Sequence, residues 1–193
     1  VSGVTVGADG ISRCAWAGND SEYLRYHDEE WGYPLHGDRP LFEKISLEAF
    51  QAGLSWITIL KRRDGFRAAF DGFDAAIVAG YGEDDIARLM ANERIIRNRA
   101  KILATIGNAR ATRRLAEEGD NALDELIWSF APPERAKRPS SLAEIPAVTA
   151  ESTALSAELR ARGFRFVGPT TMYALMQSAG LVDDHVVGCF RAR

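Results

Sequence analysis

Apolar positions recur at three- and four-residue spacing along most of this chain, the period of helices with one buried face. Pro40 suits the first turn of a helix. Leu41, Phe42, Ile45, Ala49 and Ala52 follow at helical spacing, and Gly53 ends the run. Ser55 is placed to cap a short helix reaching Leu60, and a helix starting around Asn19 to Ser21 carries Tyr23 and His27. Two more are expected over Glu83 to Met90 and roughly Arg97 to Glu117, joined by the tight stretch Ala91 to Ile96. Thr149 precedes a helix that ends at Gly163, and Pro169 opens another that ends at Gly180. Strand-like alternation is confined to Phe164-Arg165-Phe166-Val167, too brief for a sheet. Residues 131–141, with Pro132, Pro133, Pro139, Ser140 and Ser141, read as an extended connector. The pattern predicts an all-α fold.

Composition changes this picture little. A chain of 193 residues forms one compact unit with room for two helical lobes. It buries enough surface to be stable without disulfides. At 46% hydrophobic and 26% charged residues it is an ordinary globular sequence, which excludes a disordered chain. No apolar run approaches the roughly 20 residues of a membrane span, and candidates such as Leu54 to Leu60 are broken by Ser55 and Thr58. Two cysteines at opposite ends, and no basic leader followed by an apolar run, fit a soluble intracellular protein rather than a disulfide-rich secreted one.

Charge changes it more. The net charge of −3 conceals a sharp division. Residues 71–93 carry Asp71, Asp74, Glu83, Asp84, Asp85 and Glu93 against Arg88 alone. Residues 94–114 carry Arg94, Arg97, Arg99, Lys101, Arg110, Arg113 and Arg114 and no acid. Such a block can be a solvated helix face. Its interleaving with Ile95, Ile96, Ile102, Leu103 and Ile106 anchors it in a core, where a basic face also suits phosphate contacts.

Three sets of residues could carry chemistry. His185 and Cys189, four apart, point the same way on a helical turn, and Cys14 and His27 supply a second pair near the N-terminus. The four make a Cys₂His₂ set; each could also be a packing residue. With all positions filled by protein, such a site is structural, since a catalytic zinc keeps one position open. Glu48 shares a helical stripe with Leu41, Ile45 and Ala52, and a carboxylate there needs a partner. That partner is either an arginine in a structural ion pair or a polar ligand in a pocket. Trp16, Tyr23, Tyr26, Trp31 and Trp56 surround these segments, and aromatic faces with a carboxylate reading an edge are how enzymes hold an extruded nucleobase.

Six segments carry a resemblance: Arg13-Cys14-Ala15-Trp16, Tyr26-His27-Asp28-Glu29-Glu30-Trp31-Gly32, Gln51-Ala52-Gly53-Leu54-Ser55-Trp56, Arg97-Asn98-Arg99-Ala100-Lys101-Ile102, Phe166-Val167-Gly168-Pro169-Thr170-Thr171 and Asp184-His185-Val186-Val187-Gly188-Cys189. In this order they closely resemble the bacterial DNA-3-methyladenine glycosylases of the constitutive Tag type, over a span from about Arg13 to Cys189.

The resemblance implies an all-α helix-hairpin-helix glycosylase occupying residues 13–193, with residues 1–12 as a disordered extension. By matched position, Cys14, His27, His185 and Cys189 would hold one structural zinc ion. Glu48 would be the catalytic carboxylate that binds the methylated base, Tyr26 a second polar contact, Trp56 the ring stacked on it, and Trp16 and Tyr23 further walls. Gly53 and Leu54 would wedge into the duplex, and Arg97, Arg99 and Lys101, after the hairpin at Ala91 to Ile96, would grip the backbone. The implied substrate is double-stranded DNA with alkylated bases, met by a cytoplasmic monomer at the nucleoid. Arg94 stands where the family's hairpins usually carry glycine, so either Asn92 supplies a left-handed backbone or the turn itself differs. Asp183 replaces a usual asparagine. No aspartate lies between Asp85 and Asp120, as in the Tag type, and no lysine is placed as a nucleophile, so hydrolysis without strand cleavage is expected. Two rival classes share parts of the pattern. A DNA-binding module has no need of Glu48, and a zinc hydrolase needs an open metal position.

Overall fold

The computed structural model describes residues 3–133 and 137–192. The described residues form ten α-helices: α1 (Ser21–Glu29), α2 (Asp38–Gln51), α3 (Trp56–Leu60), α4 (Arg63–Ala69), α5 (Ala75–Val78), α6 (Glu83–Ala91), α7 (Arg99–Leu115), α8 (Ala122–Trp128), α9 (Ala150–Ala161) and α10 (Pro169–Ser178). Side-chain caps set several starts. Asp20 accepts from the backbone N–H groups of Glu22 and Tyr23, Asn98 accepts from Lys101, and Thr149 exchanges bonds with Ser152.

Helix α2 is the axis of the molecule. It packs against α3, α7, α8 and α10, and every residue from Leu41 to Phe50 except Glu43 is buried. The expected single stripe is therefore too narrow: α2 is covered on nearly all sides, and Lys44, Ser46 and Glu48 are buried with it. An aromatic run, Phe50-Phe66-Phe70-Phe73, fills the space beside it with successive ring centroids 4.7, 6.4 and 5.5 Å apart.

Several expectations shift. Helix α2 starts at Asp38, since proline is tolerated throughout the first turn and Pro40 lies within it. Helix α7 starts at Arg99, because Asn98 is extended and acts as the cap. Helices α4, α5 and α8 are too short for a periodic signal. Phe164 to Val167 forms no strand. Instead Asn108 bonds both backbone groups of Arg165, at 3.1 and 2.8 Å, as a strand partner would.

The strands lie at the N-terminus, in the segment that the sequence reading assigns to a disordered extension. Val4–Val6 (β1) pairs antiparallel with Ser12–Cys14 (β2), Val4 opposite Cys14. Arg13 fastens this hairpin through Asp9 and Asp28, at 2.8 and 2.7 Å. Val1 and Ser2 lie outside the described residues, as do Glu134 to Ala136 of the expected connector; its described remainder carries no helix or strand.

The turn between α6 and α7 needs no glycine. Asn92 has φ −83° and ψ 110°, and its side chain accepts from the N–H of Arg94 at 2.9 Å. Neither Asn92 nor Arg94 is left-handed. The glycine this turn does use is Gly65 on α4, where a Cβ would lie 2.6 Å from the Arg94 carbonyl oxygen.

Candidate active site and metal centre

Both ends of the chain meet at four buried residues. The ligating atoms of Cys14, His27, His185 and Cys189 all lie within 4.8 Å of one another. Cys14 Sγ to His185 Nδ1 is 3.6 Å, Cys189 Sγ to His27 Nε2 is 3.5 Å, and Cys189 Sγ to His185 Nδ1 is 3.7 Å. A tetrahedral ion with metal–N and metal–S bonds of about 2.1 and 2.3 Å separates N from S by about 3.6 Å, so the cluster fits one. The outer nitrogens of the imidazoles are also taken: His27 Nδ1 faces Asp28 at 2.8 Å, and His185 Nε2 faces the Trp31 carbonyl at 3.3 Å. That leaves one nitrogen of each ring turned inward, as metal-binding histidines require. The His185–Cys189 spacing works through a turn rather than the helix expected: Cys189 N–H bonds the Val186 carbonyl, with Gly188 at φ 90°. Tyr173 and Gln177 of α10 hold the adjacent Asp184, and Asp183 pairs with Arg138.

This cluster backs a cavity of about 190 Å³ lined by Trp16, Tyr23, Tyr26, Trp31, Glu48 and Trp56, with Gln51, Gln177 and Ser178 among its other walls. Trp16 and Trp31 belong to both features. The Trp16 ring packs edge-on against His27 at 5.2 Å, and Trp31 against His185 at 4.7 Å. The five sequence-predicted base contacts therefore come together at one cavity. Glu48, 4% exposed, accepts a 3.0 Å bond from Ser178 and forms no ion pair among the described residues. Burial raises its pKa, opposed by the positive Lys44 one turn earlier and by the Ser178 hydroxyl. Burial also raises Tyr26 and Tyr23, with the Glu48 charge adding to both.

Lys44 is a further residue of the site, one that the sequence reading above does not single out. It is 8% exposed, donates to Tyr26 Oη at 2.8 Å, and lies 4.5 Å from the centroid of the Trp56 ring. Burial lowers its pKa to about 8, with Glu48 acting against that shift. The signal was available, since Lys44 stands one helical turn before Glu48 on α2. Ser178, by contrast, reaches Glu48 from α10 and leaves no trace in local spacing.

At the cavity's edge, Gln51 to Leu54 form a turn in which Leu54 N–H bonds the Gln51 carbonyl, with Ala52 at φ −47°, ψ 116° and Gly53 at φ 84°. This is a type II turn, which needs a left-handed third residue, hence glycine. Leu54 is 42% exposed at its tip. Arg97 and Arg99 are exposed beyond the α6–α7 turn, near Glu93 and Glu83 at 3.9 and 3.0 Å. Lys101 is not a surface cation: it is 7% exposed and its ammonium donates to the carbonyls of Phe50 and Ala52. A charge in that position has no access to phosphate. Arg110 and Arg114 also spend their guanidinium groups on backbone carbonyls, those of Ala79 and Arg162. Of the basic block, Arg94, Arg97 and Arg99 are exposed near the α6–α7 turn, and Arg113 is exposed near the far end of α7.

A family model described as methyladenine glycosylase matches residues 16–192. DNA-3-methyladenine glycosylase 1 of Escherichia coli (strain K12) is 48% identical over 180 residues, 93% of this chain and 96% of its own length. A crystal structure of 3-methyladenine DNA glycosylase I superposes with a TM-score of 0.89 at 47% identity, covering 93% of this chain and 98% of that one. A variant of 3-methyladenine DNA glycosylase I in complex with 3-methyladenine gives a TM-score of 0.85 at 33% identity, covering 92% and 95%.

Proposed function

The chain belongs to the methyladenine glycosylase family, enzymes of 3-methyladenine excision, and from that premise we propose how its own residues do the work. The substrate is double-stranded DNA carrying N3-methyladenine, and the reaction hydrolyses the N-glycosidic bond and leaves an abasic site with the strand intact. The observation that carries this reading is Glu48, a buried carboxylate without a cationic hydrogen-bond partner that faces an aromatic cavity.

Methylation at N3 makes the base cationic, so the C1′–N9 bond is already weak. As it breaks, its electron pair moves onto the base, which leaves neutral; water adds its oxygen to C1′ and releases a proton. The enzyme has to extrude the nucleotide and hold the cation more tightly as charge passes to the sugar. Glu48 supplies the countercharge and accepts from the adenine amino group. Lys44 has no acceptor, so the Tyr26 oxygen accepts from it and the Tyr26 hydrogen is free to turn to the base. Trp56 provides the stacking face, with Trp16 and Tyr23 as further walls.

The α6–turn–α7 unit serves as the helix-hairpin-helix element. Arg97 and Arg99 contact phosphate, and the tip Gly53–Leu54 fills the gap left by the flipped nucleotide. Strand cleavage needs an amine at the sugar, and the two buried lysines of this region are engaged elsewhere: Lys44 with Tyr26, Lys101 with the end of α2. Residues 13–193 act as one glycosylase domain and as a monomer, at the bacterial nucleoid in the cytoplasm. No helix among the described residues is long and apolar enough to cross a membrane.

Cys14, His27, His185 and Cys189 would hold a structural zinc ion, which supplies a crosslink between the chain's ends and no chemistry on the base. Its second effect is to hold Trp16 and Trp31 against the cavity. The deciding experiment is release of free bases from methylated duplex, with N3- and N7-methylated purines quantified separately. Release of 3-methyladenine with the strand intact is expected; binding without release would leave only a DNA-binding module.

A further inference from the structure

Lys101 is a buried cation that the base chemistry leaves unused. It sits in the first turn of α7, where a positive charge opposes the helix dipole. Its ammonium crosses to α2 and donates to the carbonyls of Phe50 at 2.8 Å and Ala52 at 2.7 Å. These lie at the negative end of the α2 dipole, where carbonyls lack intrahelical donors. Ala52 is exposed, so water could serve its carbonyl without help. A lysine there must be desolvated and its long side chain fixed, both of which cost free energy.

What the arrangement adds is position. Ala52 is the second residue of the turn whose tip is Gly53–Leu54, and apart from its chain neighbours no residue comes within 4 Å of where a Gly53 Cβ would stand. The tip thus projects from the molecule with its base gripped by Lys101. The other end of that lysine is three residues after Asn98, where the α6–α7 turn meets α7.

We propose that Lys101 is a positioning residue that ties the inserting turn to the backbone-gripping hairpin, so that phosphate binding and insertion of Leu54 share one rigid frame. This rests on the wedge reading of Gly53–Leu54 given above. A loosened turn lowers the fraction of encounters that extrude the base, while the cavity that receives the base is unchanged.

The test compares Lys101→Met, Leu54→Ala and the double variant by single-turnover release from methylated duplex. Alongside it run binding of free 3-methyladenine, read by tryptophan fluorescence, and binding of undamaged duplex over a salt series. Lys101→Met is expected to lose about tenfold in release, the scale of a lost charge-assisted bond, with free-base affinity and salt slope unchanged. The double variant should release no more slowly than Leu54→Ala alone, because both changes act on one step. Equal loss of free-base binding would make Lys101 a fold support only. A salt slope lowered by about one would make it a phosphate contact. Additive losses, or unchanged release, would also overturn the proposal. If Leu54→Ala itself releases normally, the wedge reading fails first, and visibly so. Lys101→Gln, neutral and shorter but still a donor, carries the same comparison should the methionine variant not fold.

Discussion

Lys44 Nζ lies 2.8 Å from Tyr26 Oη, and both sit against the Trp56 ring beneath the cavity that Glu48 faces. An ammonium only donates, so this contact fixes the direction of the Tyr26 hydroxyl as well as its position. Tyr26→Phe is therefore expected to do two things. Release from methylated duplex should fall about tenfold through loss of one hydrogen bond to the base. Stability should fall by about 1–3 kcal/mol, because the Lys44 ammonium is left buried without an acceptor. Single-turnover release and thermal melts on one preparation measure both, and a variant with unchanged release would remove Tyr26 from the base contacts.

Metal analysis should find one zinc per chain. Cys189→Ser should lower stability by several kcal/mol, given that structural zinc binding carries roughly 10–16 kcal/mol of apparent free energy in small fingers. Because Trp16 and Trp31 pack on His27 and His185, free-base binding should weaken along with stability. Metal-free protein of unchanged stability would overturn the clasp.

Arg97→Ala and Arg99→Ala should weaken binding to damaged and undamaged duplex alike, each reducing the salt slope by about one per phosphate contact. Their ion pairs with Glu93 and Glu83 are exposed and worth little, so stability should barely change. A loss confined to damaged duplex would move these residues from backbone to base.

Local chemistry on one element was legible in the sequence; relationships across elements were legible only as types. Caps such as Asn98 and Thr149 open helices through side chains that accept from backbone three residues on, and those helices start close to where the pattern puts them. The Cys₂His₂ set could be read as a donor inventory, but the meeting of the two chain ends depends on a hairpin held by Arg13 between Asp9 and Asp28, to which hydrophobic periodicity is blind. Lys101 shows the converse. In sequence it is one basic residue among seven, and only the approach of α2 turns it inward. Charge counted along a chain says nothing about which cations have already found carbonyls.

Glu48 gives the sharpest separation between binding and folding. Its pKa is raised by burial, so between the ordinary carboxylate value of about 4.3 and the raised one, the folded protein holds a proton that the unfolded chain has released. Stability contributed by this group therefore falls as pH rises through that window, and the penalty is complete above the raised pKa. Glu48→Gln removes it. The variant should be as stable as the parent or more so at neutral pH, with the gain vanishing as pH drops below about 4. Catalysis should move the other way. Without the countercharge, and with an amide in place of one acceptor, release at neutral pH should fall by about 1.5–3 kcal/mol, roughly tenfold to a hundredfold. In the parent, release should decline on the acid side with a midpoint above the ordinary glutamate range, as the carboxylate takes up its proton. Lys44→Met should push that midpoint higher, because the Lys44 charge holds the Glu48 pKa down; Glu48→Gln should lack it. Affinity for undamaged duplex, dominated by phosphate contacts, should not change. A Glu48→Gln protein several kcal/mol less stable, yet releasing 3-methyladenine at the parental rate, would make Glu48 part of the scaffold and end its assignment to the base.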